Sequence, residues 1–560
     1  MNRIRFRVLA LAALGGIAAF ACGGGSSGST GQTLASDQTL HLSIQDDVGT
    51  LDPGHVQSGV DIAFTQQMFS GLYKFDNNLK VQPDIATGMP DISSDGLTYT
   101  FHLKSGAKFS NGDPVTSADF LYSWNRAAYL ADAYDIVFGP VVGFDDVSNQ
   151  RAKTLSGLTA PDAHTIKAQL SAPAGYWLTE LALWTANALD QKVIGDYTDK
   201  NNAKNDSWWT DPTTAIGSGP FKLAARTPKA SMDFKPVSGY WAGSTGALTD
   251  IKVDIGADAT AAVKKFESGG YDNYGFANQS PSISDILRYK GDPTKSKLLT
   301  IYPQGRSSWL GFNQVVGPFK GLADGLDGRT SFSHAIDRSQ IVNVACGNGA
   351  TCSAGSGFVL AKGLKGYLGD NSDPLAKFDA AGAKAQYQKW DSTGSKVAGL
   401  KLEYNTTSVN DQLYGNVQSQ LKANLGINVQ LSPSDFPSLI KRRNAKQAIL
   451  FRDSWGADYD HPQDWFDNLF TCAAGKVGGG GSAGYCNPAV DKLSTQAGQL
   501  VDISKAVPIY QQAFQLMIKD AFGATLTYGT QTYLVQSYVQ GMGNSSLYDY
   551  PWIGIKLLKH

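Results

Sequence analysis

The chain has 560 residues, 42% of them hydrophobic and 11% aromatic, which is ample for two or three packed domains and excludes wholesale disorder. Its 48 Lys+Arg against 49 Asp+Glu leave a net charge of −1, so it lacks the basic surface that nucleic acid demands. Tryptophan (11) and tyrosine (24) are plentiful, and both suit sites that grip flat or amphipathic ligands.

The N-terminus reads as an address label. Arg3, Arg5 and Arg7 form a cationic head before the apolar run Val8–Ala21, which is shorter than the ~20 residues that span a bilayer and fits a signal h-region. Ala19-Phe20-Ala21-Cys22 resembles a bacterial lipobox, with Ala19 where Leu is usual. The expectation is a signal peptide over 1–21, cleavage before Cys22 and a diacylglycerol anchor there; the alternative is an ordinary secretory peptide with a chance cysteine. A glycine- and serine-rich tether follows within 22–35, and no later segment is apolar enough to cross a bilayer.

Strands are expected at Leu40–Ile44 and at Tyr99–Leu103, where YTFHL alternates. Apolar residues at helical spacing predict a helix over Asp61–Leu72. Thr116-Ser117-Ala118-Asp119 resembles a capping box opening a helix through FLYSWNRA. A strand over Asp250–Ile255 and a helix over Ala259–Ser268 make a βα unit. Further on, strand Leu400–Tyr404, helix Asp411–Asn424, strand Ile427–Leu431, helix Asp435–Arg443 and strand Gln447–Arg452 spell βαβαβ. That order implies a parallel, doubly wound sheet, whose ligands bind beyond the carboxyl ends of its strands. SWGADYD, from Ser454 to Asp460, falls where that rule places a ligand.

Enzyme chemistry is scarce. The seven histidines show no HxxxH or HExxH pairing, the GxSxG matches at 24–28 and 480–484 lack a strand-to-helix elbow, and the GxGxxG at 479–484 fails the same context test. No Walker A motif occurs. Asp458-x-Asp460 begins like a calcium loop, but Pro462 stands where the next ligand is due. No metal and no cofactor is expected. A glycosidase remains an alternative, with acids of 451–466 flanking a sugar stacked on Trp455 and Tyr459. Four cysteines besides Cys22 form two local pairs, Cys346 with Cys352 and Cys472 with Cys486. Neither pair has CxxC spacing, so two disulfides in an oxidising compartment are expected over a zinc site.

Five stretches in order resemble the solute-binding proteins of peptide and nickel ABC importers (solute-binding protein family 5), the oligopeptide-binding branch most. They are TLDPGHVQSGVDIAFTQQMFSGLYKFD from Thr50, SSDGLTYTFHLKSGAKFSNGDPVTSADFLYSWNR from Ser93, GSGPFKL (217–223) with Gly239-Tyr240-Trp241, SHAIDRSQIV (333–342), and SWGADYDHPQDWF with the Cys472…Cys486 pair behind it. The resemblance implies a periplasmic-binding-protein-like type II clamshell, two α/β lobes with an extra inserted domain. One lobe would comprise 36–72, 211–303 and 525–560, the insertion 73–210, and the second lobe 304–524.

The resemblance further implies that Asp458 holds a ligand's α-ammonium while Trp455 and Tyr459 wall the cleft. Backbone around Ser454 and Gly456, and around Ser58 and Gly59, would pair with a peptide main chain. Arg452 would meet the carboxylate end or balance Asp458. Asp460 and Asp464 read as turn, cap or surface residues, and His461 as a loop residue. The function implied is a monomeric receptor, lipid-anchored on the outer face of the bacterial cytoplasmic membrane. It would deliver oligopeptides to ABC permease subunits with a separate ATPase. Alternatives are another solute (an oligosaccharide, a nickel chelate, haem) or a receptor that signals instead of importing.

Overall fold

The computed structural model describes residues 33–560 except 133, 203, 278, 477–480, 482, 544 and 549. The signal peptide, Cys22 and most of the tether lie outside the described residues, as does part of the glycine-rich run at 477–482. Among the described residues no helix is long and apolar enough to cross a membrane.

Thr39–Ile44 buries Leu40, Leu42 and Ile44 on one face, as period-two alternation requires. It pairs in parallel with Asp250–Ile255, and Ser231–Pro236 and Phe221–Thr227 complete a four-stranded sheet. The helix Gly59–Met68 packs Phe64 onto this sheet, 5.5 Å from Phe234. It stops before the expected Leu72 because Phe69 is extended and the amide of Gly219 bonds the Met68 carbonyl at 2.7 Å. A Cβ on Gly217 would lie 2.1 Å from that same carbonyl oxygen, so the GSGPF turn can approach the helix end only as glycine.

The inserted segment forms an antiparallel sheet in the order Asp91–Ile92, Thr98–His102, Thr165–Gln169, Leu158–Asp162. Its helix Ser117–Leu130 starts on the expected capping box, the Asp119 carboxylate accepting the Thr116 amide at 2.8 Å. Tyr99, Phe101, Trp124 and Trp177 close the core beneath it. Arg126 of this helix reaches out of the insertion to Asp52, at 2.9 and 2.6 Å, with both side chains fully buried. Burial drives the Asp52 carboxyl up, but Arg126 beside it and the Trp208 indole outweigh burial and hold it below its ordinary value.

The βαβαβ run is present as Lys401–Asn405, Ser408–Leu425, Gln430–Ser434, Phe436–Asn444 and Leu450–Gly456, with the three strands parallel. The third strand runs four residues past Arg452. Its far half leaves its parallel neighbour after Phe451 and is held instead by Leu299–Phe312, antiparallel, with Gly456 opposite Arg306 and Leu450 opposite Phe312. Leu299–Phe312 also pairs antiparallel with Gly523–Val535 on both sides of a register break between Pro303 and Ser307. The architecture is the expected two-lobed α/β clamshell. Both expected disulfides are formed, Cys346–Cys352 and Cys472–Cys486.

Candidate ligand-binding cleft

The site starts from a flaw in a strand. Register between Leu299–Phe312 and Gly523–Val535 breaks between Pro303 and Ser307, and Pro and Gly305 within a strand favour such a bulge. The bulge turns Gln304, Gly305 and Arg306 into a cavity of about 160 Å³. Gly456, Ala457 and Asp458 close it from the second lobe, their backbone locked by the Ala457 amide on the Gly305 carbonyl at 2.8 Å. Gln57, Gly59 and Ile62 line it from the first lobe, Tyr134 and Trp184 from the insertion, and Ser546–Tyr548 from the C-terminal segment.

Among the described residues Asp458 is the one acid on this wall. The Tyr134 hydroxyl donates to its Oδ1 at 2.9 Å, and the Tyr548 hydroxyl donates to its carbonyl. Burial pushes the carboxyl up to about 6, opposed by the Tyr134 bond and the positive charge of Arg306. Behind it, Asp464 accepts the Asp458 amide at 3.0 Å and the Trp455 indole N–H at 3.3 Å. Burial, then the charge of Asp458, raises Asp464 well above the carboxylate range. Proton uptake by the pair therefore begins at Asp464, which leaves Asp458 charged near neutrality.

Of the residues singled out from sequence, Asp458, Gly456 and Gly59 line the cavity. Ser58 does not; it caps the helix Gly59–Met68 by accepting the Asp61 amide. Ser454 lies within the third strand, paired with Ser308, so one edge of that backbone is already taken. Trp455 packs into the second lobe's core, while Tyr459, 3% exposed, bonds Glu180 of the insertion at 3.1 Å and faces a separate cavity of about 360 Å³. The guanidinium of Arg452 sits 5.8 Å from the Phe436 ring, off the cavity wall.

Asp460 and Asp464 are buried, not at the surface: Lys365 holds Asp460 at 2.6 Å. His461 is also buried, and burial takes its imidazole down to about 3, hence neutral. Tyr134, Trp184, Arg306 and Tyr548 escaped the sequence reading. Only Arg306 carried a local signal, the strand-breaking PQG before it. Among the described residues, no group of three or more His, Cys, Asp and Glu is placed to hold a metal.

Comparison with known proteins accords with this geometry. The chain is 26% identical over 545 residues to the oligopeptide-binding protein OppA of Bacillus subtilis, covering 93% of this chain and 94% of the relative. It is 26% identical over 531 residues to the periplasmic murein peptide-binding protein MppA of Escherichia coli, covering 91% of each. The unliganded open form of MppA superposes with a TM-score of 0.77 at 24% identity, over 95% of this chain and 99% of that one. Residues 80–476 match the bacterial extracellular solute-binding proteins, family 5. A match over that much of the chain makes this protein a member of that family.

Proposed function

We propose that the chain is the peptide-capturing component of an ABC importer, with Asp458 receiving the ligand's ammonium in the inter-lobe cavity. The observation that carries this is the placement of Asp458: the one cavity acid among the described residues, charged near neutrality, in surroundings of lowered dielectric. A carboxylate so placed attracts a primary ammonium far more strongly than it would in water. The names of OppA and MppA, both peptide binders, support the same class of ligand. A neutral sugar offers Asp458 nothing to neutralise, and membership in a family of binding proteins removes the glycosidase.

The mechanism is capture without chemistry. Ligand enters between the lobes, contacts to both favour closure, and the closed form docks on permease subunits driven by a separate ATPase. In this reading Cys22 carries the lipid, the protein works as a monomer on the outer face of the cytoplasmic membrane, and the lobe limits are those given by sequence. Native mass spectrometry of the purified protein tests it. Adducts with peptide masses are expected; a carried sugar, or indifference to an added mixed peptide library, would overturn it.

A further inference from the structure

A second cavity, of about 180 Å³, backs onto the first, and among the described residues the two share Trp184 and Tyr548 alone. Its lining comes from 66–84, 182–187, Pro220, Tyr240 and 545–553. On the lobe limits proposed above, no described residue of the second lobe takes part, so the cavity needs no lobe closure to form. Lys74, Asn77 and Ile553 of its wall are exposed, and it therefore opens to solvent.

Asn187 on this wall is only 7% exposed, yet among the described residues its side-chain amide has no hydrogen-bond partner. Gln67, on the same wall, shows the ordinary case. Its amide donates to the Ala63 and Tyr550 carbonyls and accepts the Trp552 backbone amide. Buried polar side chains are satisfied as a rule, and an orphaned one costs stability unless something in the cavity answers it. The Asn187 carboxamide is also firmly placed. A Cβ on Gly71 would stand 2.6 Å from its Oδ1, so it lies over bare backbone that a larger residue would deny it. Gln66, half-buried on the same wall, likewise has no described partner for its amide.

The rest of the wall defines the guest. Phe75 stacks on Tyr548 with ring centres 5.4 Å apart, and Trp184 stands 78° to Tyr548 at 6.4 Å, rings that suit a flat molecule. The charges among the described lining residues are already engaged. Lys74 pairs with Asp84 at 2.8 Å, and Asp76 accepts the Asn78 and Lys80 amides at 2.8 and 2.9 Å. An ion would thus find no counter-charge. A carboxamide sets donor beside acceptor, so it matches another amide edge through two hydrogen bonds. The volume is close to one that holds a single benzene ring. We propose that this cavity is a second binding site, separate from the peptide site, for a small uncharged planar molecule with an amide edge, such as an aromatic amide or a lactam, held by Asn187. The site stands independently of the peptide reading.

Ligand-observed NMR and titration calorimetry on the full chain test this. Benzamide is the probe, benzoate its charged counterpart, and toluene the ring without an amide edge. The wild type should bind benzamide at least tenfold more tightly than either control, and a saturating mixed peptide library should not displace it. Asn187→Leu and Asn187→Ala remove a side chain with no described partner. Both should lower benzamide affinity at least tenfold while peptide retention, which also reports a sound fold, stays as in the wild type. Absence of benzamide binding, equal affinity for toluene or benzoate, displacement by peptides, or affinity unchanged in Asn187→Ala would each overturn the second site and leave the peptide reading standing.

Discussion

The Tyr134 hydroxyl, on the insertion, donates to Oδ1 of Asp458, on the second lobe, at 2.9 Å. The bond spans the cleft and leaves the other carboxylate oxygen to a ligand. Burial and the charge of Asp458 raise the phenol's pKa further, so Tyr134 stays a donor at any physiological pH. Asp458→Asn keeps the shape and removes the charge, and it should weaken binding of a free-amine peptide by roughly 2–5 kcal/mol. Titration calorimetry checks this, and unchanged affinity would refute the role.

Acid should release the ligand. Asp458 must be ionised to hold an ammonium, and in the empty cleft it takes up a proton at about 6. Affinity should be level above pH 7 and fall by up to tenfold per pH unit below about 6, because bound ligand selects the deprotonated form. The same titration across pH on Asp458→Asn should lose this dependence.

Trp184 lies on the cavity wall and Trp455 does not. Ligand binding should therefore change tryptophan emission through Trp184. A Trp184→Phe variant that still binds should lose most of the change, and a Trp455→Phe variant should keep it.

Arg126 and Asp52 join the insertion to the first lobe with no solvent contact. Removing one partner strands the other's charge, so Arg126→Met should destabilise the fold by about 3–5 kcal/mol. Urea unfolding measures it. The double variant with Asp52→Asn should recover part of the loss.

Gly175 of the insertion donates its amide to the Gly498 carbonyl at 2.8 Å, and a Cβ there would stand 1.9 Å from the Leu500 carbonyl oxygen. Gly175→Ala should hold the insertion off the second lobe and favour an open form. Affinity should drop about tenfold with the cavity unaltered, since only closed molecules retain ligand. Small-angle scattering should show a larger radius of gyration.

The sequence shows the clamshell's local units well, because periodic burial and capping are local. Thr116 with Asp119, the run from Lys401 to Gly456 and both disulfides all follow from neighbours in the chain. Strand ends were less legible: Leu450–Gly456 continues through the polar RDS because a partner from residues 306–312 holds it. The cavity was least legible. Asp458 stood out within an acidic, aromatic stretch, whereas Tyr134, Trp184 and Tyr548 come from segments far apart in the chain and meet only in the folded molecule. Tyr459 adjoins the key acid in sequence, yet it turns away to Glu180.

On the lobe limits proposed above, the bulge at Gln304–Arg306 sits in one of two paired strands that pass between the lobes. A guest gripping that segment thus holds the pivot itself, and the torque of closure reaches the point of contact with no relay of intervening side chains. Stiffening those three residues would alter the speed of the swing and the choice of guest in a single stroke.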